Sequence, residues 1–419
     1  MGTILKIAWR NVLRNKRRTM ITGVVMMAGI GLFIMADSML KGMDRLTIDN
    51  MVAYTESFMK IRTPEYISNL QGTPLEHGVP DPEAVMRTAM ASDDRIVATA
   101  PRTRFVANVS NYEDALPVIA LAIDPARDEA VFRLSEAVVE GSWLDSAAPR
   151  SIVIGSGLAA EMGLTAGDYA MVSASTVYDN VNADEYLVAG IVFSPMPEIN
   201  QGGLFMTYAD ADALLGTDGF VSEIVVASER MPSLGDLLDA SSDAAARVSA
   251  ALPGLRADPL TELAKDYLAM RAMKGKASYF IIMVVLLIAA VGIVNTILMS
   301  VYARIREIGV LKAYGMPPAE IRRLFTLEGV IVGALGSAAG VALGSFLVWL
   351  MATRGISISA MVGDVDMGGL PLSGTLYGEW NPATMAFGFA FGIVVAFVSA
   401  RIPAKRAARL EVTDALRFA

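Results

Sequence analysis

The sequence contains no cysteine and one histidine, His77. Without cysteine no disulfide framework can form, even in an oxidising compartment, so each folded part must rest on an ordinary core. One histidine excludes a zinc or copper centre built on a histidine cluster, and His77 sits in a polar stretch that reads as a solvated loop. No Gly-x4-Gly-Lys-Ser/Thr occurs; Gly275-Lys276-Ala277 lacks both the spacing and the hydroxyl, so the chain does not hold ATP as a P-loop protein. With no convincing nucleophile and base set either, no catalytic, metal or cofactor-binding residue is assigned. Charge is also scarce, at 19% of residues, and its scarcity is uneven.

Hydrophobic residues make up 54% of the 419 positions, which points to a membrane solvent. Four stretches are long and nearly charge-free: residues 19–40, 277–302, 324–351 and 382–400. Each approaches the ~20 residues a helix needs to cross ~30 Å of hydrocarbon. The fold class expected is a membrane protein with four transmembrane α-helices and a large α+β extracytoplasmic domain inserted between helices 1 and 2. Basic residues set the orientation. Lys6, Arg10, Arg14, Lys16, Arg17 and Arg18 precede the first span, and Arg401, Lys405, Arg406, Arg409 and Arg417 follow the last. Both termini and the basic segment 303–323 are therefore expected in the cytoplasm. Residues 41–276 lie outside and hold 18 Lys and Arg against 34 Asp and Glu, a net of −16; the remainder holds 17 against 9, a net of +8. The overall charge of −8 thus belongs to the external domain, and nothing points to nucleic acid.

Residues 1–18 read as an amphipathic interfacial helix, with Leu5, Ala8, Trp9 and Val12 opposed by Lys6, Arg10 and Arg14. The run 19–40 is span-length and no clear A-x-A site follows, so an uncleaved helix is expected. In the external domain, ESFMKIRT, RIVATAPRTRFVANVS, LPVIALAI, YAMVSAS, EYLVAGIVFS and SEIVVAS read as strands. PDPEAVMRTAM, ADADALLG and LGDLLDASSDAAARVSAAL read as helices. Its ends, 41–51 and 260–274, read as helical continuations of spans one and two. The smaller loop 352–381 carries Asp364 and Asp366, which as a pair suggest a cation less strongly than solvated acids. Gly155-x-Gly157-x-x-Ala160 follows a strand and nominally matches a dinucleotide fingerprint, but Gly163 stops the next helix too early for a βαβ crossover.

Small residues recur every fourth position in spans three and four, at Gly336, Gly340 and Gly344 and at Gly388 and Gly392. Such rows let helices approach closely in lipid, within one chain or between two. Asp37 and Glu328 are placed near the span ends, within reach of interfacial water, so no charge sits at mid-membrane depth as ion transport usually requires. Met35, Met39 and Met43 share one face at the outer end of span one, with Met270 and Met273 near span two. They are candidates for acyl-chain contact, the ordinary alternative being helix packing.

Several pieces together resemble a known family. AWRNVLRNKRRTMIT, IGSGLAAEMGLTAGDYAMV, EYLVAGIVFS, RIREIGVLKAYGMPPAEIRRLFTLEGVIVGALG and IPAKRAARLEVTDALR resemble, in order, the four-span permeases of ABC transporters that include the lipoprotein-releasing, macrolide-exporter and cell-division types. That resemblance implies a separate ABC ATP-binding subunit carrying ATP and Mg, a second permease copy (homodimer or paralogous heterodimer), membrane lipid as surroundings, and mechanotransmission to the external domain. Within this family the expected role is extraction of lipoproteins from the outer leaflet for a periplasmic carrier. Export of small molecules or peptides is the alternative, and a membrane-anchored signalling or scaffold protein with an ATPase partner is a third. The resemblance also gives 303–323 a coupling role. Arg304, Arg306, Glu307 and Lys312 are expected to face water or the ATPase. Gly315, Met316, Pro317 and Pro318 form a corner at which one helix ends and the next begins.

Overall fold

The computed structural model describes residues 2–14, 16–69, 72–148, 150–357 and 375–409. The chain divides into two units. A helical one comprises Met1–Asp44, Arg271–Ser357 and Thr375–Ala419, and a sheet-bearing one takes in Arg45–Met270.

The sheet-bearing unit is built on ten strands: β1 (Met59–Arg62), β2 (Ile96–Ser110), β3 (Ala115–Ile123), β4 (Val138–Gly141), β5 (Ser151–Gly155), β6 (Tyr169–Ser175), β7 (Val181–Val192), β8 (Gly203–Thr207), β9 (Glu223–Ser228) and β10 (Arg256–Pro259). Their order is β10-β1-β9-β2-β3-β8-β5-β7-β4, with β6 joining β2 to β7. Strand β2 organises the unit. Its first half pairs with β9 and its second with β6, both antiparallel, while β3 follows it from Arg102 to Ser110. Helices start where the sequence offers caps. Asp81 accepts from the Ala84 N–H ahead of Pro82–Ser92, Thr207 caps Tyr208–Leu215, and Ser233 caps Leu234–Ala251. One apolar cluster gathers Phe105, Val118, Ile152, Tyr186 and Leu204, and another gathers Phe58, Ile61, Ile224, Leu237 and Val248.

Charge is buried in this unit as well. Arg102 holds Asp128 through two hydrogen bonds of 2.6 and 2.9 Å, its guanidinium 3.6 Å from the centre of the Phe132 ring. Nearby, Arg62 binds Asp258 at 2.7 Å, and Lys60 reaches both Glu56 at 2.9 Å and Glu223 at 3.8 Å. Burial pushes the Glu223 carboxyl upward, but Lys60, Arg62, Arg102 and Arg104 outweigh it and hold the group below the ordinary carboxylate value.

Three strands here escape the sequence reading. β4 and β10 have only four residues each, and β8 is buried at all five positions, so it shows no alternation. The glycines of the nominal dinucleotide fingerprint serve packing. A Cβ on Gly155 would collide with the Ile199 and Asn200 carbonyls, and one on Gly157 would lie 2.9 Å from the Asn200 oxygen. Gly163 then ends the following helix, Ser156–Met162, at φ +63°.

The helical unit contains an N-terminal helix (Gly2–Arg14), a first long helix (Lys16–Tyr54) up to Asp44, a second (Lys265–Tyr302) from Arg271, a short one (Ile305–Ala313), a third long one (Pro318–Arg354) and a last one (Pro382–Arg409). Among the described residues three helices are long and apolar enough to cross a membrane: the first long helix from Thr19, the third, and the last. The expected span 277–302 lies in the second long helix, where several side chains fall outside those described. The last helix continues nine residues past the expected end of its span at residue 400, through Pro403. Asp364 and Asp366 lie outside the described residues.

Helix packing here is set by glycine. Gly336, Gly340 and Gly344 face Met26, Ile30 and Ile34 of the first long helix, and a Cβ added at any of them would lie 2.8 to 2.9 Å from a Cβ opposite. A second row on the same helix, Gly329 and Gly333, sits against Ala400 and Ala396. Gly392 meets Ser337 and Ile30, and Gly388 lies beside Ile30. These rows therefore join helices within one chain. Met35, Met39 and Met43 are half-buried, Met270 is partly exposed, and Met273 is largely exposed.

Candidate functional site: the elbow between two long helices

The segment from Tyr302 to Phe325 turns the chain back on itself. Its short helix, Ile305–Ala313, buries Ile305 and Ile308 and has Tyr314 at its C-cap. Gly315 adopts φ +88°; its N–H bonds the Lys312 carbonyl at 2.9 Å, and the Met316 N–H bonds the Leu311 carbonyl at 3.1 Å. These are the two bonds of a Schellman closure, which satisfy carbonyls the helix would otherwise leave open. Pro317 then caps the third long helix, Pro318 takes its first position, and Glu320 lies in the first turn, where a negative charge suits the helix dipole. The corner is a fixed bend, made by one left-handed glycine and two prolines.

The expected coupling residues divide into two groups. Arg306, Gly315, Pro317 and Pro318 are exposed, while Met316 is half-buried against the helical core. Lys312 is turned toward the last helix, its Nζ donating to the Ala408 carbonyl at 2.9 Å. Arg304 departs from the expectation of a water-facing cation. It is 8% exposed, donates to Glu307 at 2.7 Å and to Glu328 at 2.9 Å, and its guanidinium lies 5.7 Å from the Phe325 ring. Burial alone would lower the Arg304 pKa, but its bonds and charge pairing with Glu307 and Glu328 raise it above the ordinary arginine value. Glu307 stays at the surface, and the Arg304 hydrogen bond holds its carboxyl below the usual range, with Arg14 adding to this.

Glu328 differs from expectation too. It is 3% exposed and walled in by protein, since it also accepts from Asn11 Nδ2 at 2.6 Å and from the Ser300 hydroxyl at 3.5 Å. Asp37, by contrast, is only half-buried and sits beside Lys41 at 3.5 Å and Asn381 at 3.0 Å.

One residue that sequence reasoning passed over stands out at the corner. Tyr314 is 89% exposed, a large ring at the C-cap of the short helix beside the left-handed Gly315. Its sequence signal is an aromatic residue in front of a helix-ending glycine, flanked by basic residues. Exposed Arg322 and Arg323 extend the same surface along the third long helix. Among the described residues no group of three His, Cys, Asp or Glu is placed to hold a metal. The exposed surface of the corner carries an aromatic ring, two prolines and cations.

Known proteins share these segments. Residues 279–412, which include the elbow and the last two spans, match the family described as FtsX-like permease C-terminal. The lipoprotein-releasing system transmembrane protein LolC of Xylella fastidiosa is 24% identical over 360 residues, covering 83% of each chain. The macrolide export ATP-binding/permease protein MacB of Hyphomonas neptunium is 35% identical over 131 residues, 31% of this chain and 17% of that protein. The periplasmic region of MacB from Actinobacillus actinomycetemcomitans aligns with 53% of this chain and 97% of its own length at a TM-score of 0.34 and 9% identity. The family match takes in the bend, most of the helix before it and the helices after it, so the chain is a multi-pass membrane protein carrying an FtsX-like permease domain, similar to the ABC-transporter proteins LolC and MacB.

Proposed function

We propose that this chain is the membrane subunit of an ABC transporter in which a separate ATP-binding subunit docks on the elbow. The observation that carries this reading is the exposed rigid corner Tyr314–Pro318, held on a helix whose other face is buried. A bend that cannot flex passes on displacement, and this one lies between the second and third long helices. With both termini and the elbow in the cytoplasm of a bacterial inner membrane, as the basic flanks argue, motion enters through Tyr314, Arg306 and the proline corner. It leaves along the second long helix toward the domain on the far side. The ATP and Mg belong to the partner, and a second permease copy completes the complex.

The substrate we propose is a lipoprotein, drawn from the outer leaflet and passed to a periplasmic carrier, with Met35, Met39, Met43, Met270 and Met273 in contact with its acyl chains. The LolC alignment over 83% of both chains supports this. Export of small molecules by the same motion is the second reading, favoured by the higher identity to MacB over the shorter segment. The test is reconstitution of the full chain with its ATP-binding partner in proteoliposomes holding a tri-acylated lipoprotein. ATP-dependent release to a soluble carrier is expected; transport of an amphiphilic drug without release selects the second reading. ATP hydrolysis that responds to a ligand with neither outcome points to a signalling protein. Replacing Gly315 with Asp and Met316 with Lys is expected to abolish partner-dependent release, and unchanged release removes the elbow from the mechanism.

A further inference from the structure

The bonds around Arg304 close a ring that begins and ends on the N-terminal helix. Asn11 donates to Glu328 at 2.6 Å, Glu328 accepts from Arg304 at 2.9 Å, Arg304 donates to Glu307 at 2.7 Å, and Glu307 accepts from Arg14 at 3.1 Å. Asn11 and Arg14 stand three residues apart, on one face of the helix. The inner half of the ring is dry, with Asn11 9%, Arg304 8% and Glu328 3% exposed, whereas the Arg14 and Glu307 side chains are 59% and 49% exposed. Neutralising Glu328 needs only Arg304. The second bond to Glu328, from Asn11, and the return through Arg14 are not required by charge burial; they fix the rotation of one helix against the other. Ala8 and Val12, both buried, complete that contact face.

We propose that Glu328 and Asn11 are positioning residues that fasten the N-terminal helix to the elbow helix, so that these two and the third long helix turn as one piece when a partner pushes on the corner. The claim deepens the coupling reading and rests on it. The dry Asn11–Glu328–Arg304 half bears the load, because hydrogen bonds to a desolvated charge are strong and exposed ion pairs are weak. The Arg14–Glu307 half adds little at physiological salt.

The test uses the full chain in nanodiscs. Because the chain has no cysteine, Lys6→Cys and Val310→Cys, both at exposed positions, accept spin labels without background removal. Without partner, a single narrow distance is expected. Asn11→Leu, which leaves the Arg304–Glu328 pair intact, is expected to broaden that distance, and Asn11→Gln, which restores an amide donor, to narrow it again. With the ATP-binding subunit added, Asn11→Leu should lower maximal stimulated hydrolysis on the order of fivefold while the half-saturating subunit concentration stays unchanged. Glu328→Gln should do the same if it folds, and the Asn11 pair decides the matter if it does not. An unchanged distance and unchanged maximal hydrolysis in Asn11→Leu overturn the fastening, whatever the Gly315 and Met316 variants do. If those corner variants leave coupling intact, the elbow reading fails, and the distance measurement still judges the fastening by itself.

Discussion

The two units of this protein solve the same packing problem with opposite materials. The sheet-bearing unit fills its interior with large side chains and sinks whole ion pairs among them, Arg102 with Asp128 at 2% and 1% exposure. The helical unit removes side chains, so that Gly336, Gly340 and Gly344 let one helix lie against the Cβ atoms of another. The contrast follows from the solvent. In water, burying a large apolar group is itself favourable, whereas in hydrocarbon little is gained by hiding leucine from lipid, and close contact supplies the association energy. Buried charge follows the same division: it is distributed over several strands in one unit and gathered around Glu328 in the other.

The most severe way to break the comparison is to orphan a charge. Arg102→Met leaves Asp128 buried without its partner and should cost about 3–5 kcal/mol. Loss of hydrogen-exchange protection in β2, with the third long helix still protected, would show the damage confined to the sheet-bearing unit. Adding Asp128→Leu should recover most of it, since an apolar pair of similar volume is often as stable as the ion pair. A smaller effect is expected from Gly340→Leu, whose side chain has no room against Ile30 and the Met27 carbonyl; overpacking should cost about 1–3 kcal/mol. Thermal unfolding in detergent followed by size exclusion checks it, with Gly23→Ala, where an added Cβ meets nothing within 4 Å, as the tolerant control.

The smallest effect is acid lability. Hydrogen bonds from Arg95 hold Asp93 down at about 2, against an ordinary value of 3.8, with Arg247 contributing. A depressed carboxylate stabilises the fold fully above its unfolded value and loses that contribution as pH falls through the folded one. The melting temperature of the sheet-bearing unit should therefore decline between pH 3.8 and about 2, and Asp93→Asn should flatten that slope.

The sequence is most informative where one local rule acts alone. Asp81 announces a helix start, Gly163 and Gly315 announce stops, and β2, β6 and β7 show strand composition over seven residues or more. It fails where the deciding partner is distant. Glu328 reads as an interfacial acid because spacing places it near a span end, and only the fold brings Asn11, 317 residues away, and Arg304 against it. Arg304 reads as a surface cation for the same reason. The rows at Gly336 and Gly388 are visible as periodicity, but only the fold distinguishes contacts within a chain from contacts between chains, and it adds Gly329 and Gly333, which face a different helix.

The Gly155–Gly157 turn carries a broader consequence. Both glycines make room for the backbone at Ile199 and Asn200, so any side chain there must displace the helix Pro197–Gly202. The steric demands of the fold alone are thus enough to maintain a pattern that motif searches interpret as nucleotide chemistry. In descendants of this sequence, a Gly-x-Gly retained at the turn would record the closeness of two pieces of chain, and would carry no information about a bound dinucleotide.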